Sequence, residues 1–147
     1  MSGATVTLRR AEEADLDYVE RLLRANDLPT HDVRSKPERF YVGYVDDEPV
    51  GVGGVEVYGT DGLLRSVVVE RAERGTGVGA ALCDALKTAA AVDGVETLYL
   101  LTTTAAGFFA DRGYVRLART DAPEAIRATA EFDSLCPATA TCMQKRL

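Results

Sequence analysis

Three consecutive pieces of sequence decide the fold of this chain: Ser66–Glu70 (SVVVE), Arg74–Gly79 (RGTGVG) and Ala80–Lys87 (AALCDALK). The first, rich in β-branched residues, predicts a buried strand, and the last predicts a helix that starts on the glycine loop between them. The first N–H groups of a helix have no partner inside the helix and carry a partial positive charge. A loop of this kind therefore favours a phosphate group as its ligand.

The spacing of the glycines limits which phosphate loop this is. A Walker A loop carries Lys and Ser/Thr after its last glycine, and Ala80 and Ala81 exclude it. A dinucleotide fold carries Gly-x-Gly-x-x-Gly after its first strand. Here the order is Gly75-x-Gly77-x-Gly79, and at least three predicted strands precede it. An ordinary glycine-rich turn between a strand and a helix stays open as an alternative.

Length and composition limit the class of protein. A chain of 147 residues is long enough for one domain with a real core, so residues 1–147 are expected to form a single domain. The net charge of −6 disfavours nucleic acid or an anionic membrane as the main partner. We expect a cytoplasmic protein, because the chain has three cysteines, no secretory signal and no apolar run of about 18 residues.

The periodicity of the chain predicts a mixed α+β fold. Strands 40–45, 50–58 and 63–70 are joined by short turns, one of them at Gly59–Gly62, and should form an antiparallel meander. The strand–helix–strand order from 63–70 to 97–102 predicts that these two strands are parallel. Thr103 and Thr104 can cap the helix that follows. The other predicted elements are helices 11–25, 105–111 and 122–131, and strands 5–9, 113–117 and one within 139–146.

Two motifs at a suitable separation resemble the GCN5-related N-acetyltransferases (GNAT). Arg74, Gly77 and Gly79 match the family's Arg/Gln-x-x-Gly-x-Gly/Ala loop, and Phe108–Tyr114 resembles its aromatic-aromatic-x-x-x-Gly-aromatic segment. The resemblance covers nearly the whole chain. It implies a mostly antiparallel sheet of six to seven strands flanked by helices, with the fourth and fifth strands parallel and splayed apart.

Finer details are similar to a narrower group, the arsenic-resistance N-acetyltransferases. Segments from three separate regions carry this likeness: Leu63–Val69, Leu100–Ala105 with Gly107–Phe109, and Ile126–Phe132 with Ser134–Pro137 and Cys142-Met143. The group's name indicates a context and not an acceptor.

The GNAT resemblance implies acetyl-CoA as co-substrate and no metal. It places the diphosphate on the N–H groups of the glycine loop and the pantetheine along the backbone of the fourth strand. A backbone N–H near Val68 or Val69 would then stabilise the oxyanion. The residues implied for cofactor binding are Val67, Val68, Val69, Arg74, Gly75, Thr76, Gly77, Val78, Gly79, Ala80, Thr104 and Phe108.

Strand alternation places candidate acceptor-binding residues on one face. Leu63, Arg65, Val67 and Val69 should share it, and a guanidinium at Arg65 suits an anionic group of the substrate. Register across the turn pairs Tyr58 with Leu63 and sets Glu56 beside Arg65. Glu56 is then either a general base or a group that orients Arg65, and the second is favoured because a neighbouring Arg makes a carboxylate a poorer base.

The expected general acid is missing from its family position. Phe109 stands where the family usually has a tyrosine, and phenylalanine donates no proton. Either Cys136, Ser134, Tyr114 or a water molecule replaces it, or the thiolate leaves without a proton donor. Arg127, on the predicted C-terminal helix, is a further candidate for substrate binding. Cys136 and Cys142 are a dithiol for a thiophilic species, a redox pair or, as we favour, buried structural residues.

The resemblance therefore predicts an acetyl-CoA-dependent N-acetyltransferase acting on a small, amino-acid-like amine that carries an anionic group, in a monomer or homodimer. Arsenic or toxic-amine resistance is one context for such an activity. Two alternatives stay open: an acetyltransferase of protein N-termini, and a non-catalytic sensor of acyl-CoA or a metalloid.

Overall fold

The computed structural model describes residues 5–130, 132 and 139–147. The strands in this part of the chain are β1 Thr7–Arg10, β2 Phe40–Val45, β3 Glu48–Tyr58, β4 Asp61–Val69, β5 Thr97–Thr102, β6 Val115–Arg116 and β7 Thr141–Arg146. The α-helices are α1 Leu16–Ala25, α2 Val78–Val92, α3 Ala106–Asp111 and α4 Glu124–Arg127. Short 3-10 helices are formed by Glu13–Asp15, Pro37–Arg39, Arg71–Glu73 and Arg119–Asp121.

The strands form one mixed sheet in the order β1-β2-β3-β4-β5-β7-β6. Pairing is antiparallel between β1 and β2, β2 and β3, β5 and β7, and β6 and β7. Strands β4 and β5 are parallel, with Asp61 opposite Thr97 and Leu63 opposite Tyr99. The predicted α+β fold, with its parallel fourth and fifth strands, is confirmed.

The contacts within the chain define two compact units. The first contains Met1–Val55 and Ser66–Ala89, and the second contains Glu56–Arg65 and Ala90–Leu147. The division between the units falls within β3, after Val55, and within β4, after Arg65. Each unit therefore has its own core.

The core of the first unit lies between α1 and the strands. Apolar residues at helical spacing on α1 are buried as predicted, and they pack with the strand residues Val42, Val52 and Val68. The members of this cluster are Ala11, Leu16, Val19, Leu22, Leu23, Val33, Phe40, Val42, Val52 and Val68.

Helix α2 comes very close to the strands because glycines face it. A Cβ on Gly53 would lie 2.4 Å from Cδ1 of Leu86, and a Cβ on Gly51 would lie 3.1 Å from Cδ2 of Leu82. Leu82 and Leu86 of α2 are fully buried. The absence of side chains at these two strand positions therefore sets the distance of α2, and with it the position of the loop that precedes α2.

The second unit has a smaller core beneath α4. Its buried members are Leu63, Tyr99, Ala122, Ile126, Phe132 and Cys142, with Tyr58, Leu101 and Leu117 packed against them. Burial raises the pKa of the Tyr99 phenol and of the Cys142 thiol. Both groups are therefore more strongly held in their neutral forms than the same groups in water.

Several predicted boundaries agree with the structure, and others do not. Strands 40–45 and 97–102 have their predicted bounds. The turn after β3 is shorter than predicted, because only Gly59 and Thr60, with φ of +66° at Gly59, separate the strands. The predicted helix 122–131 is interrupted: α4 ends at Arg127, and Thr129 donates its hydroxyl to the Ile126 carbonyl just beyond it. Glu131 lies outside the described residues.

No helix in the described residues is long and apolar enough to cross a membrane.

Candidate functional site

The glycine loop has the backbone geometry that anion-binding loops require. Gly75 and Gly77 have φ of +81° and +88°, a left-handed conformation that glycine adopts without steric cost. The first helical hydrogen bond of α2 runs from the Ala81 N–H to the Gly77 carbonyl, over 3.1 Å. The N–H groups of Val78, Gly79 and Ala80 therefore precede that bond and are the donors that a helix start offers to an anion.

Arg74 connects the loop to two neighbouring elements. Its Nε donates to the Val69 carbonyl at the end of β4 over 3.1 Å, and its Nη2 donates to Asn26 Oδ1 over 2.8 Å. Thr76 donates its hydroxyl to the Glu73 carbonyl within the loop. Arg74 is exposed. The contact of Arg74 with phosphate stays a prediction.

The part of β4 that is predicted to bind the cofactor does not follow a simple alternation. Ser66 has φ of +57°, which is uncommon for a residue with a side chain and interrupts the two-residue repeat of a strand, as a β-bulge does. Val68 is buried in the cluster around α1. Val69 instead lies next to α2, because a Cβ added at Gly79 would be 3.6 Å from Val69 Cγ2. The prediction that Leu63, Arg65, Val67 and Val69 share one face is therefore wrong.

Strands β4 and β5 pair at the start of both strands, from Asp61 with Thr97 to Leu63 with Tyr99. Leu64 and Arg65 follow the last of these pairs within β4.

The second unit contains a buried charged cluster of Glu56, Tyr58 and Arg65. Arg65 Nη1 donates to Glu56 Oε2 over 2.7 Å, and the side chains are 1% and 5% exposed. Tyr58 donates its hydroxyl to the other carboxylate oxygen of Glu56. The predicted contact between Glu56 and Arg65 is present. Because both carboxylate oxygens accept hydrogen bonds, the arrangement favours an orienting role for Glu56 over that of a base.

The aromatic segment after β5 has one buried and one exposed ring. Phe109 is buried, and its ring meets those of Phe108 and Tyr114 edge to face, with centroids 5.2 and 5.4 Å apart. Phe108, predicted to contact the cofactor, is 38% exposed. Thr104 is also exposed. The predicted cap at Thr103 or Thr104 is wrong, because the N-cap residue of α3 is Ala105, with no side-chain cap bond. Thr102 Oγ1 accepts the Ala105 N–H over 3.0 Å, in the turn before the helix.

The remaining predicted site residues differ in their exposure to solvent. Arg127 is exposed on α4, and its Nε donates to the Ala122 carbonyl over 2.9 Å. Cys142 is a buried free thiol, as is Cys83. Cys136, the predicted catalytic cysteine, and Ser134 lie outside the described residues. Within residues 5–130, 132 and 139–147, no group of three or more His, Cys, Asp or Glu side chains is arranged to hold a metal ion.

Two residues of α1 that the sequence did not single out reach the loop region. Asn26, at the C-terminal cap of α1, is the acceptor for Arg74. Tyr18 donates its hydroxyl to Glu70 Oε2 over 2.7 Å. Burial raises the pKa of Tyr18 well above its usual value, and the Glu70 carboxylate contributes to the rise. An asparagine directly after an amphipathic helix was the available signal, but it indicates only a helix end.

Comparison with known proteins identifies the class to which this fold and loop belong. The family profile of the acetyltransferase (GNAT) domain matches residues 36–116, more than half of the chain. The chain belongs to this family. No curated protein sequence matches it significantly.

Solved structures show the same fold. N-acetylglutamate synthase from Neisseria gonorrhoeae, complexed with coenzyme A and N-acetyl-glutamate, is 19% identical with a TM-score of 0.85, over 99% of this chain and 36% of that one. Rv2747 from Mycobacterium tuberculosis, in complex with CoA and NLQ, is 23% identical with a TM-score of 0.80, over 96% and 99%. Ard1 from Thermoplasma volcanium is 23% identical with a TM-score of 0.70, over 97% and 98%. The chain thus spans 36% of the synthase from Neisseria.

Proposed function

We propose that residues 1–147 act as one catalytic domain that transfers the acetyl group of acetyl-CoA to the amine of a small acceptor with an anionic group, such as an amino acid. The observation that carries this proposal is the glycine loop before α2. Its left-handed Gly75 and Gly77 bring backbone N–H groups to the start of a fifteen-residue helix. That arrangement suits the diphosphate of coenzyme A.

The diphosphate binds in this proposal to the N–H groups of residues 74–80. Backbone donors need no particular side chain, and the partial positive charge of the α2 N-terminus offsets part of the negative charge of the ligand. Arg74 adds a full positive charge next to these donors. Family membership supports this assignment, as do the similar structures that were solved with coenzyme A.

The pantetheine follows the backbone of Val67–Val69, and a backbone N–H near Val68 or Val69 donates to the carbonyl oxygen of the thioester. Thr104 and Phe108 are further residues that the family resemblance implies for cofactor binding. The acceptor nitrogen attacks the carbonyl carbon, the oxygen gains negative charge, and the C–S bond then breaks. The amine loses one proton, and the departing thiolate gains one. Holding both reactants in this geometry supplies much of the rate.

Proton transfer is assigned to groups other than Glu56. Glu56 positions Arg65, since Tyr58 and Arg65 already occupy its two carboxylate oxygens. Cys136 is the proposed proton donor for the thiolate, because Phe109 has no hydroxyl at the position where the family usually has one. A thiol has an ordinary pKa of about 8.5, which suits proton exchange with another thiol near neutral pH.

The acceptor is proposed to bind through its anionic group. Arg127 offers an exposed guanidinium whose Nε is already fixed by the Ala122 carbonyl, so that fewer rotamers are lost on binding. Arg65 contributes a buried positive charge held by Glu56. The synthase from Neisseria was solved with N-acetyl-glutamate, an acetylated amino acid with two carboxylates, which supports an acceptor of this class. The segments similar to arsenic-resistance acetyltransferases extend the acceptor class to arsenic-bearing amino-acid analogues.

Titration calorimetry with acetyl-CoA, together with a thiol-release assay over a panel of amines, tests the proposal. The panel contains acidic and neutral amino acids, arsenic-bearing analogues, peptides with free N-termini, and polyamines as cationic counterparts. We expect binding of acetyl-CoA and turnover of anionic small amines, but not of polyamines. Arg127→Ala should raise the KM for the acceptor about tenfold. Arg116→Ala, a change of another exposed arginine in the same unit, should leave the KM unchanged.

Other outcomes would overturn parts of the proposal. Preferred turnover of peptides would indicate an acetyltransferase of protein N-termini. Binding of acetyl-CoA without turnover of any amine would indicate a sensor, for which the loss of the tyrosine at position 109 is a specific reason. Failure to bind coenzyme A would remove the proposal altogether.

A further inference from the structure

The C-terminal end of α1 is joined to the glycine loop through one amide side chain. Asn26 Nδ2 donates to the Leu22 carbonyl over 2.9 Å, and Asn26 Oδ1 accepts from Arg74 Nη2 over 2.8 Å. The orientation of this amide is fixed, because reversing it would place an oxygen against a carbonyl and an NH₂ group against a guanidinium. Both polar ends of Asn26 therefore have a partner.

Arg74 extends this connection to the sheet. Its Nε donates to the carbonyl of Val69, the last residue of β4, over 3.1 Å. One guanidinium thus joins the end of a strand, the end of a helix and the start of the glycine loop. With these two bonds made, the planar guanidinium has a fixed direction, although it is exposed.

A second contact joins α1 to the chain just before the loop. Tyr18 donates to Glu70 Oε2 over 2.7 Å, while the Glu70 N–H donates to the Val50 carbonyl over 2.8 Å. Glu70 is the N-cap residue of the 3-10 turn Arg71–Glu73, and Arg74 is its C-cap residue. Helix α1 therefore holds both ends of the turn that leads into the glycines.

We infer that Asn26 and Tyr18 are positioning residues for the diphosphate of acetyl-CoA, acting through Arg74 and Glu70. This inference rests on the proposed function. A loop with several glycines loses much conformational entropy when it becomes ordered. Contacts that order the loop before the ligand arrives remove that cost from binding and so raise affinity. These residues act on cofactor affinity and not on the chemical step.

The prediction for Asn26→Ala is specific. The Kd for coenzyme A and the KM for acetyl-CoA should rise about five- to twenty-fold, as expected for the loss of a hydrogen bond to a charged group, while kcat stays unchanged. S-acetylpantetheine carries the same thioester but no diphosphate. With this donor, kcat/KM should be the same for Asn26→Ala as for the wild type. Tyr18→Phe should show the same pattern with a smaller rise.

A double-mutant cycle tests whether Asn26 acts through Arg74. Arg74→Ala alone should weaken binding of coenzyme A, and adding Asn26→Ala to it should weaken binding no further. Arg24→Ala is the matched control, because Arg24 lies on the same helix with a largely exposed side chain 3.9 Å from Glu20. This control should leave both donors unaffected.

Two results would overturn the inference while leaving the proposed function intact. One is normal affinity for coenzyme A in Asn26→Ala. The other is an equal loss of activity with acetyl-CoA and S-acetylpantetheine, which would mean that the side chain only supports the fold. Failure of the wild-type protein to bind coenzyme A would instead overturn both the proposed function and the inference.

Discussion

Arg65 donates a hydrogen bond to Glu56 over 2.7 Å, and both side chains are almost completely excluded from solvent. A buried ion pair gives little net stability relative to an apolar pair of similar volume, but removing one partner leaves a buried charge without its counterpart. Tyr58 adds a second hydrogen bond to the same carboxylate. The pair therefore constrains the conformation of β3 and β4 and is sensitive to single substitutions.

Single truncation of this pair should destabilise the protein strongly. We expect Glu56→Ala or Arg65→Ala to lower the free energy of unfolding by about 3 kcal/mol or more. The double variant Glu56→Leu/Arg65→Met should recover most of that loss, because no buried charge is left unpaired. Urea unfolding measures both. Equal destabilisation by the double variant and the single variants would contradict this account of the pair.

Close packing around β3 predicts a contrast between two glycines. Gly51→Ala should destabilise by about 1–3 kcal/mol, since the new Cβ would lie 2.5 Å from the Val68 carbonyl oxygen and the backbone must move. Gly107→Ala is the control, because Gly107 lies in α3 and a Cβ there meets no atom within 4 Å. Alanine at 107 should stabilise by about 0.5–1 kcal/mol. A higher melting temperature for Gly51→Ala than for Gly107→Ala would contradict this account of the packing.

The Tyr18–Glu70 contact predicts a specific response to alkaline pH. The pKa of the Tyr18 phenol is raised in the folded protein. The folded state therefore keeps the phenol proton after the unfolded chain has begun to lose it near the ordinary value of 10.0. Above this pH the unfolded state binds fewer protons than the folded state. The stability that Tyr18 contributes is therefore fully present below pH 10 and is lost as the pH rises further. Tyr18→Phe should make the fall in unfolding free energy above pH 10 shallower. An unchanged slope would show that Tyr18 does not contribute.

Cysteine reactivity can be predicted for the two described thiols. Cys83 and Cys142 are buried, and burial raises the pKa of Cys142, so that little reactive thiolate forms near neutral pH. In a Cys136→Ser variant, we expect a thiol-specific chromogenic reagent to label neither cysteine in native protein and both in urea. Rapid labelling of the native variant would contradict the structural role of these cysteines. Cys142→Ser in the same background identifies the residue that reacts.

Local patterns in the sequence predicted most elements correctly. The β-branched and apolar runs at 40–45 and 97–102 have their predicted bounds, and the apolar residues of α1 are buried at helical spacing. The glycine loop was also predicted, because left-handed turns require residues without a Cβ and therefore leave a visible signature. These features depend on neighbours a few positions away.

Other features depend on a single backbone conformation that no pattern reveals. Serine gave no sign that position 66 would adopt φ of +57°, so the alternation predicted through Val67 and Val69 was wrong. The helix cap after β5 was predicted at Thr103 or Thr104, but the N-cap residue is Ala105, which makes no side-chain cap bond. Three adjacent threonines offer the same capping chemistry, but the course of the chain starts the helix after Ala105, so none of them caps it.

From its sequence alone, this chain could be placed in the GNAT fold, with a glycine loop before a helix, a paired Glu56 and Arg65, and no tyrosine at position 109. Tertiary structure alone decided that Asn26 reaches Arg74, 48 residues later, that Tyr18 reaches Glu70, and that Arg65 is buried with Glu56. The reason is physical: periodicity and turn chemistry are properties of short segments, whereas these contacts depend on how distant segments pack. Such packing leaves no repeat in the sequence.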